Sequence, residues 1–475
     1  MTQRSRASLL TRDNAWLVPT GLYALGFLLW LPSAHAVATS DEASYLGQAA
    51  LFARGQLEAS LPALGGGEPV SEPVSDYPVG TSLLAAPFVA LGGLSWGRLP
   101  SLVSLLGATA LTAWVLRRRG KDPRYALLVL GYLPSLVLGR VTMSDCPSVL
   151  IVAGFLALLE HGSVRSLGFA GLVAGAALLF RETNLVIMGP FLAGVFVRRD
   201  PGRASLAVGL GMGVAARLGS SWFLFGDPLF AKSSYPFSLA AIPQNLVLYV
   251  LALLVLVPGG LVVAARYRGP RAPELLTAVF GCAVFFLVYS YGGAESGTLR
   301  RLIVAPRYFA PLTPLVAQAW AAMVTDDRWE SMREWAMRIG IVGLSCAAFG
   351  VHPFLSRWEG EQARVVARID EAVPEGTVVV TQPSSTAKYL AVVFGARTVV
   401  DYQALDDATW AALSQAHPTF FVVLYHRTDS DYHRARWEEA SDWLHALEAR
   451  CSVESLGSEP TPAEEVGIWQ VRCAG

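Results

Sequence analysis

The chain has 475 residues, 53% of them hydrophobic and only 16% charged, where soluble domains usually carry about a quarter charged residues. That composition excludes an ordinary soluble protein and predicts an α-helical polytopic membrane bundle. Lys+Arg and Asp+Glu number 37 each, so net charge singles out no acidic or basic partner, and no nucleic-acid partner is expected.

Runs of about 18 to 20 apolar residues can span a bilayer. In chain order such runs fall near residues 15–37, 97–116, 125–141, 146–160, 166–180, 184–197, 204–222, 245–265, 274–290, 303–324 and 336–354, about eleven transmembrane helices. Basic residues orient them. Arg4, Arg6 and Arg12 precede the first run, and "RRRGKDPR", "RRDPGR", "RYRGPR" and "RWESMREWAMR" all fall on one side. The positive-inside rule makes that side cytoplasmic. The N-terminus is then inside, and residues 38–96, 223–244 and everything after about 355 are outside. The stretch "YPVGTSLLAAPFVALGG", residues 77–93, is apolar but short. A full crossing there would invert the charge pattern downstream, so it is expected to be interfacial or re-entrant. The Ala34-His35-Ala36 tripeptide offers a signal-peptidase site, but the apolar run before it is long for a signal sequence, and an uncleaved anchor is favoured.

Residues 1–355 therefore read as one transmembrane domain with a large first external loop at 38–96, and residues 356–475 as an extracytoplasmic domain. In the tail, "EQARVVARIDEAV", "STAKYLAVVFG", "DDATWAALSQA" and "HRARWEEASDWLHALEA" read as helices. They alternate with the strands "GTVVVT", "RTVVDY" and "TFFVVLY". That alternation predicts a small α/β unit with a largely parallel sheet. "CSVESLG" and "GIWQVRC" close it as a hairpin whose outer ends bring Cys451 and Cys473 together. An oxidising exterior permits a disulfide there, two reduced thiols being the alternative. The five cysteines have no metal-ligand spacing. Cys146, Cys282 and Cys346 lie in apolar segments and read as small core residues.

Charged residues recur beside the ends of runs on the expected outer side. Asp41 and Glu42 follow the first run, and Asp76 lies in "SDYPVG". Asp145 lies in "RVTMSDCPS", and Arg181 and Glu182 in "LLFRETN". Lys232 lies in "GDPLFAKSSYPF", and Arg300, Arg301 and Arg307 in "GTLRRLIVAPRYFAPL". A single arginine there snorkels to headgroups and a single loop acid is solvated. As a set, ionisable groups at one depth face a cavity and pair with each other or a ligand. Carboxylates with arginines at an outer face suit sugar transfer from a membrane-made donor. A carboxylate takes the proton of an acceptor hydroxyl, and guanidinium groups stabilise a leaving polyprenyl phosphate.

The ordered series "DEASYLGQAALFARG", "YPVGTSLLAAPFVALGG", "TMSDCPSVLIVAGFLALL", "AALLFRETNLVIMGPFL", "GDPLFAKSSY" and "PRYFAPLTPL" resembles the GT-C glycosyltransferases. The similar branch contains protein O-mannosyltransferases and lipid A aminoarabinose transferases, and the likeness covers roughly residues 10–355. It implies a polyprenyl-phosphate sugar donor and an inverting transfer with Asp41 as general base and Glu42 in support. It implies acceptor binding or a second acid at Asp145, Asp76 and Tyr77, and donor-phosphate contacts from Arg181, Arg307, Tyr308 and Lys232. The chain has Tyr77-Pro78-Val79-Gly80 where many relatives have Lys-Pro-Pro or Tyr-Pro-Pro. The sequence leaves the sugar, the acceptor (protein, lipid or glycan) and any divalent-metal requirement open. A transporter or flippase of lipid-linked or sugar solutes is the competing reading, and an inert scaffold with a wall-binding outer domain is a third. No repeated halves of the kind transporters carry are visible.

Overall fold

The computed structural model describes residues 13–33, 40–61, 70–230, 237–257, 259–289, 305–324, 330–382, 397–426, 431–460 and 465–473. Lys232, Arg300, Arg301 and the expected helix at "STAKYLAVVFG" lie outside them. Two parts follow one another along the chain, a helical bundle and a sheet domain.

The bundle begins with α1 (Leu17–Trp30). Next come α2 (Ser40–Ala53), the two-stranded β1 (Ala59–Leu61) and β2 (Val70–Glu72), and α3 (Gly80–Gly92). The α3 helix is 13 residues long with Pro87 inside it, about 20 Å at 1.5 Å per residue, too short for a bilayer core of about 30 Å. It packs on α2 through Ala43, Leu46, Ala50, Ala85 and Val89. The long α4 (Leu99–Arg118) follows. The run expected at 125–141 is broken into α5 (Leu127–Leu130) and α6 (Leu133–Leu138), because Gly131 ends the first and Pro134 opens the second. Helices α7 (Asp145–His161), α8 (Val164–Ala176), α9 (Asn184–Val197) and α10 (Arg203–Phe225) continue the bundle. Between α8 and α10 the backbones touch. A Cβ added at Gly171 would lie 2.0 Å from the Leu206 carbonyl oxygen, and one at Gly209 the same distance from that of Gly168.

The run expected at 245–265 is likewise discontinuous. α11 (Ile242–Leu251) passes into a π-helical turn, and Gly259, at φ +62°, breaks the axis before α12 (Gly260–Arg266). After α13 (Ala272–Leu287), a 3₁₀ segment Ala305–Leu312 leads into α14 (Thr313–Met323). The last helix of the bundle, α15, runs unbroken from Glu330 to Ala372. The domain boundary expected at 355/356 therefore falls inside a helix, and "EQARVVARIDEAV" is its far end, not a separate element. Among the described residues three helical stretches are long and apolar enough to cross a membrane, Leu94–Arg118, Arg203–Phe225 and Glu330–Pro353, and six shorter apolar helices accompany them.

Charge separates to the two ends of the bundle. At one end Arg117 binds Asn14, Arg119 binds Glu160 at 2.6 Å, Arg124 binds both Asp122 and Glu334, and Arg198 meets Glu274. These are the segments assigned to the cytoplasm from their arginines. The acids and arginines singled out above collect elsewhere, and they form the site described below. Cys146 and Cys282 are buried as expected, whereas Cys346 is exposed on α15.

The sheet domain has five strands, β3 (Val378–Thr381), β4 (Thr398–Asp401), β5 (Thr419–His426), β6 (Ser452–Pro460) and β7 (Glu465–Arg472), in the order β4-β3-β5-β7-β6. The β3–β4 and β3–β5 pairs are parallel, and the β5–β7 and β6–β7 pairs antiparallel. The sheet is thus mixed, not largely parallel. A tight hairpin can only return antiparallel, and the β6–β7 hairpin docks on β5. One face packs on α16 (Asp407–Ala416) and α17 (Asp431–Glu448), with Leu413, Ala440 and Leu444 against Val380, Phe420 and Val422. The other packs on the end of α15, where Val365, Ile369 and Val373 meet Val379, Phe421 and Ile468. Register places Ser452 opposite Arg472, so the flanking cysteines are adjacent, and Cys451 and Cys473 form a disulfide with Cα atoms 4.4 Å apart.

Candidate active site

Asp41 and Glu42 sit in the first turn of α2, where the N-terminal end of the helix dipole favours negative charge. Neighbours on a helix point about 100° apart, and these two part company. Glu42 is fully buried. It accepts two bonds from Arg98, at 2.8 and 3.0 Å, and a third from the Thr142 backbone N–H at 2.9 Å. Arg98 is also buried and stands 5.1 Å from the centre of the Trp30 ring. Glu42 is therefore committed inside the protein.

Asp41 keeps 23% of its side chain exposed. Its Oδ1 accepts the Tyr77 hydroxyl at 2.6 Å and its Oδ2 accepts Arg307 Nη2 at 3.1 Å. Tyr77 is held by what precedes it. The Gln48 side-chain carbonyl accepts from the Val74 and Ser75 backbone N–H groups, its amide donates to the Leu57 carbonyl, and the Tyr77 ring lies tilted against that of Tyr45, with centres 4.9 Å apart. Asp76 is half-buried in the same loop.

On the far side of Arg307, Tyr308 carries two guanidinium groups. Those of Arg307 and Arg181 lie 5.3 and 4.9 Å from its ring centre, within reach of a cation–π attraction. Phe286 stacks behind the ring at 4.9 Å. Arg181 lies in the turn between α8 and α9 and donates Nη1 to Asp145 Oδ1 at 2.9 Å and Nη2 to the Ser144 hydroxyl at 3.0 Å. The other oxygen of Asp145 is buried without a hydrogen-bond partner among the described residues. Asp41, Tyr77, Arg307, Tyr308, Arg181 and Asp145, drawn from five separate segments, thus form one continuous chain of contacts. Among the described residues no group of three His, Cys, Asp or Glu is arranged to hold a metal ion.

An apolar groove of about 320 Å³ is walled by Phe52, Leu57, Val79, Leu83, Phe223 and Leu224, none of them a member of this chain of contacts. Val79 lies two residues past Tyr77, so one loop serves both.

Sequence reasoning missed the supports. Arg98 and Arg140 were absorbed into apolar runs, although an arginine inside such a run is itself a signal. Arg217, on α10, was missed likewise. It is buried and holds Glu182 at 2.9 Å and the Phe230 carbonyl at 2.8 Å, which anchors the turn carrying Arg181.

A helical bundle followed by a small sheet domain is an arrangement shared with solved structures. Over 95% of this chain and 98% of that chain, the fold matches ArnT from Cupriavidus metallidurans bound to undecaprenyl phosphate, with TM-score 0.59 and 14% identity. The apo state of the same protein matches at TM-score 0.57 over 96% and 98%. No family model matches the sequence, and no curated protein does.

Proposed function

We propose that this chain is an integral membrane glycosyltransferase of the extracytoplasmic face. It transfers a sugar from a polyprenyl-phosphate-linked donor to an acceptor hydroxyl, with inversion. The observation that carries the reading is the meeting of Asp41, Arg307, Tyr308, Arg181 and Asp145 in one cluster. The undecaprenyl phosphate bound to ArnT supports the donor class.

In this reading Asp41 is the general base. One carboxylate oxygen takes the proton as the acceptor oxygen bonds to the anomeric carbon from the face opposite the phosphate. The bond from that carbon to the phosphate oxygen breaks, and its electron pair leaves with the polyprenyl phosphate. Arg181 and Arg307 receive the charge that develops on the phosphate, a role for which the guanidinium fork suits best. Asp145 holds Arg181 in place. The groove takes part of an isoprenoid chain. Glu42 supports through the fold, as the buried partner of Arg98 that fixes the start of α2.

The test is purified protein in detergent with a polyprenyl-monophosphate-linked sugar and cell-envelope extract as acceptor. Release of polyprenyl phosphate that depends on the extract supports transfer. Uptake of the donor into vesicles with the glycosidic bond intact would favour the transporter.

A further inference from the structure

Residues 140–145, from the α6–α7 connection to the first residue of α7, touch α15, Trp30, Glu42, the Gly97 carbonyl and Arg181. Arg140 is fully buried. It donates Nη1 to the carbonyls of His352, at 2.5 Å, and Val351, at 3.3 Å, on α15. Its guanidinium lies 3.6 Å from the centre of the Trp30 ring, which Arg98 approaches as well. Two residues on, Thr142 donates its N–H to Glu42 and its hydroxyl to the Gly97 carbonyl at 3.1 Å. Ser144 and Asp145 then receive Arg181. A single short segment therefore fixes the helix that carries Asp41 and the arginine of the donor side, and is itself fixed to α15.

The α15 end of this link is firmly seated. His352 Nε2 pairs with the Tyr23 carbonyl at 3.1 Å, and its ring packs on Tyr23 and Phe27. Gly26 makes room for it, since a Cβ there would lie 2.5 Å from the imidazole. Thirteen residues further along the same unbroken helix, Val365 begins the contact with the outer sheet. That is about 20 Å at 1.5 Å per residue, along one continuous helix with Pro353 inside it next to His352, where the ladder has one N–H donor fewer.

We infer that Arg140 is a positioning residue that couples the seat of α15, and with it the outer sheet domain, to the geometry of the Asp41–Arg181 site. The inference rests on the proposed transferase reading for its functional consequence, but the mechanical link can be measured without it. A force on the outer domain that shifts α15 moves the carbonyls Arg140 grips, and residues 140–145 pass the shift to both halves of the site. Displacing reacting groups by about 1 Å can cost about 100-fold in rate.

The experiment is hydrogen exchange on the full chain in detergent, alongside transfer kinetics, for Arg140→Met and Arg140→Lys. The Met variant keeps the length and loses the donors and the charge, while the Lys variant keeps a donor and a cation against Trp30. The expected result for Arg140→Met is faster exchange in residues 40–53 as well as in 140–145. Turnover should fall about 100-fold with little change in donor KM, and Arg140→Lys should restore most of it. Exchange that rises only in 140–145 and α15, or turnover that stays native, would overturn the inference. Should Arg140→Met fail to fold, Gly26→Ala disturbs the seat of His352 from the other side. It must then raise exchange in residues 40–53, and a change confined to α1 and α15 would overturn the link. Spread of exchange to residues 40–53 in a protein that transfers no sugar would keep the coupling and refute the transferase reading alone.

Discussion

Asp41 and Arg307 are 266 positions apart in sequence, and Arg307 Nη2 lies 3.1 Å from the Asp41 carboxylate. The proposed base and the proposed phosphate ligand are thus one ion pair before substrate arrives. In the proposed reaction a donor phosphate would compete with Asp41 for Arg307, and that competition would release the carboxylate to accept a proton when the donor is in place.

Arg181 grips Asp145 and Ser144 with two prongs of its fork, and a lysine has no fork. One charge-assisted hydrogen bond is worth about 1.5–3 kcal/mol, so Arg181→Lys should weaken donor binding roughly 10- to 100-fold. Titration with a polyprenyl phosphate reads this directly. An unchanged affinity would remove Arg181 from the donor side.

Glu42 carries a different prediction from its neighbour. It and Arg98 are both buried and bonded to each other, and removing one member of such a pair costs about 3–5 kcal/mol. Glu42→Gln should therefore lower the unfolding temperature in detergent, whereas Asp41→Asn should leave it nearly unchanged. Equal melting of the two variants would contradict their separate roles.

The Cys451–Cys473 bridge closes a loop with a sequence separation of 22, for which loop-closure entropy gives about 3 kcal/mol. Replacing both by serine should make the β6–β7 hairpin the first site of proteolysis. Native resistance to protease would show that the sheet holds the hairpin unaided.

The sequence made some of this legible and hid the rest for physical reasons. Asp41, Asp145, Arg181 and Arg307 stood out because charge beside an apolar run is expensive, Tyr308 came in only with the family resemblance, and the structure gathers all five. The different fate of Glu42 was hidden, since two adjacent acids look alike until a helix turns one inward. Arg98, Arg140 and Trp30 were invisible as supports because apolar periodicity swallowed them. The unbroken α15 was divided at 355, where apolar residues give way to polar ones: composition changes there but backbone does not. The mixed sheet was misjudged because α/β alternation dominated the reading until the terminal hairpin reversed it.

The most direct measurement is single-turnover transfer from a radiolabelled polyprenyl-phosphate sugar, comparing the native chain with Asp41→Asn at saturating donor. The account predicts that the variant binds donor and keeps its fold yet transfers no sugar over the time in which the native chain completes its turnover. Transfer at the native rate by Asp41→Asn would contradict it.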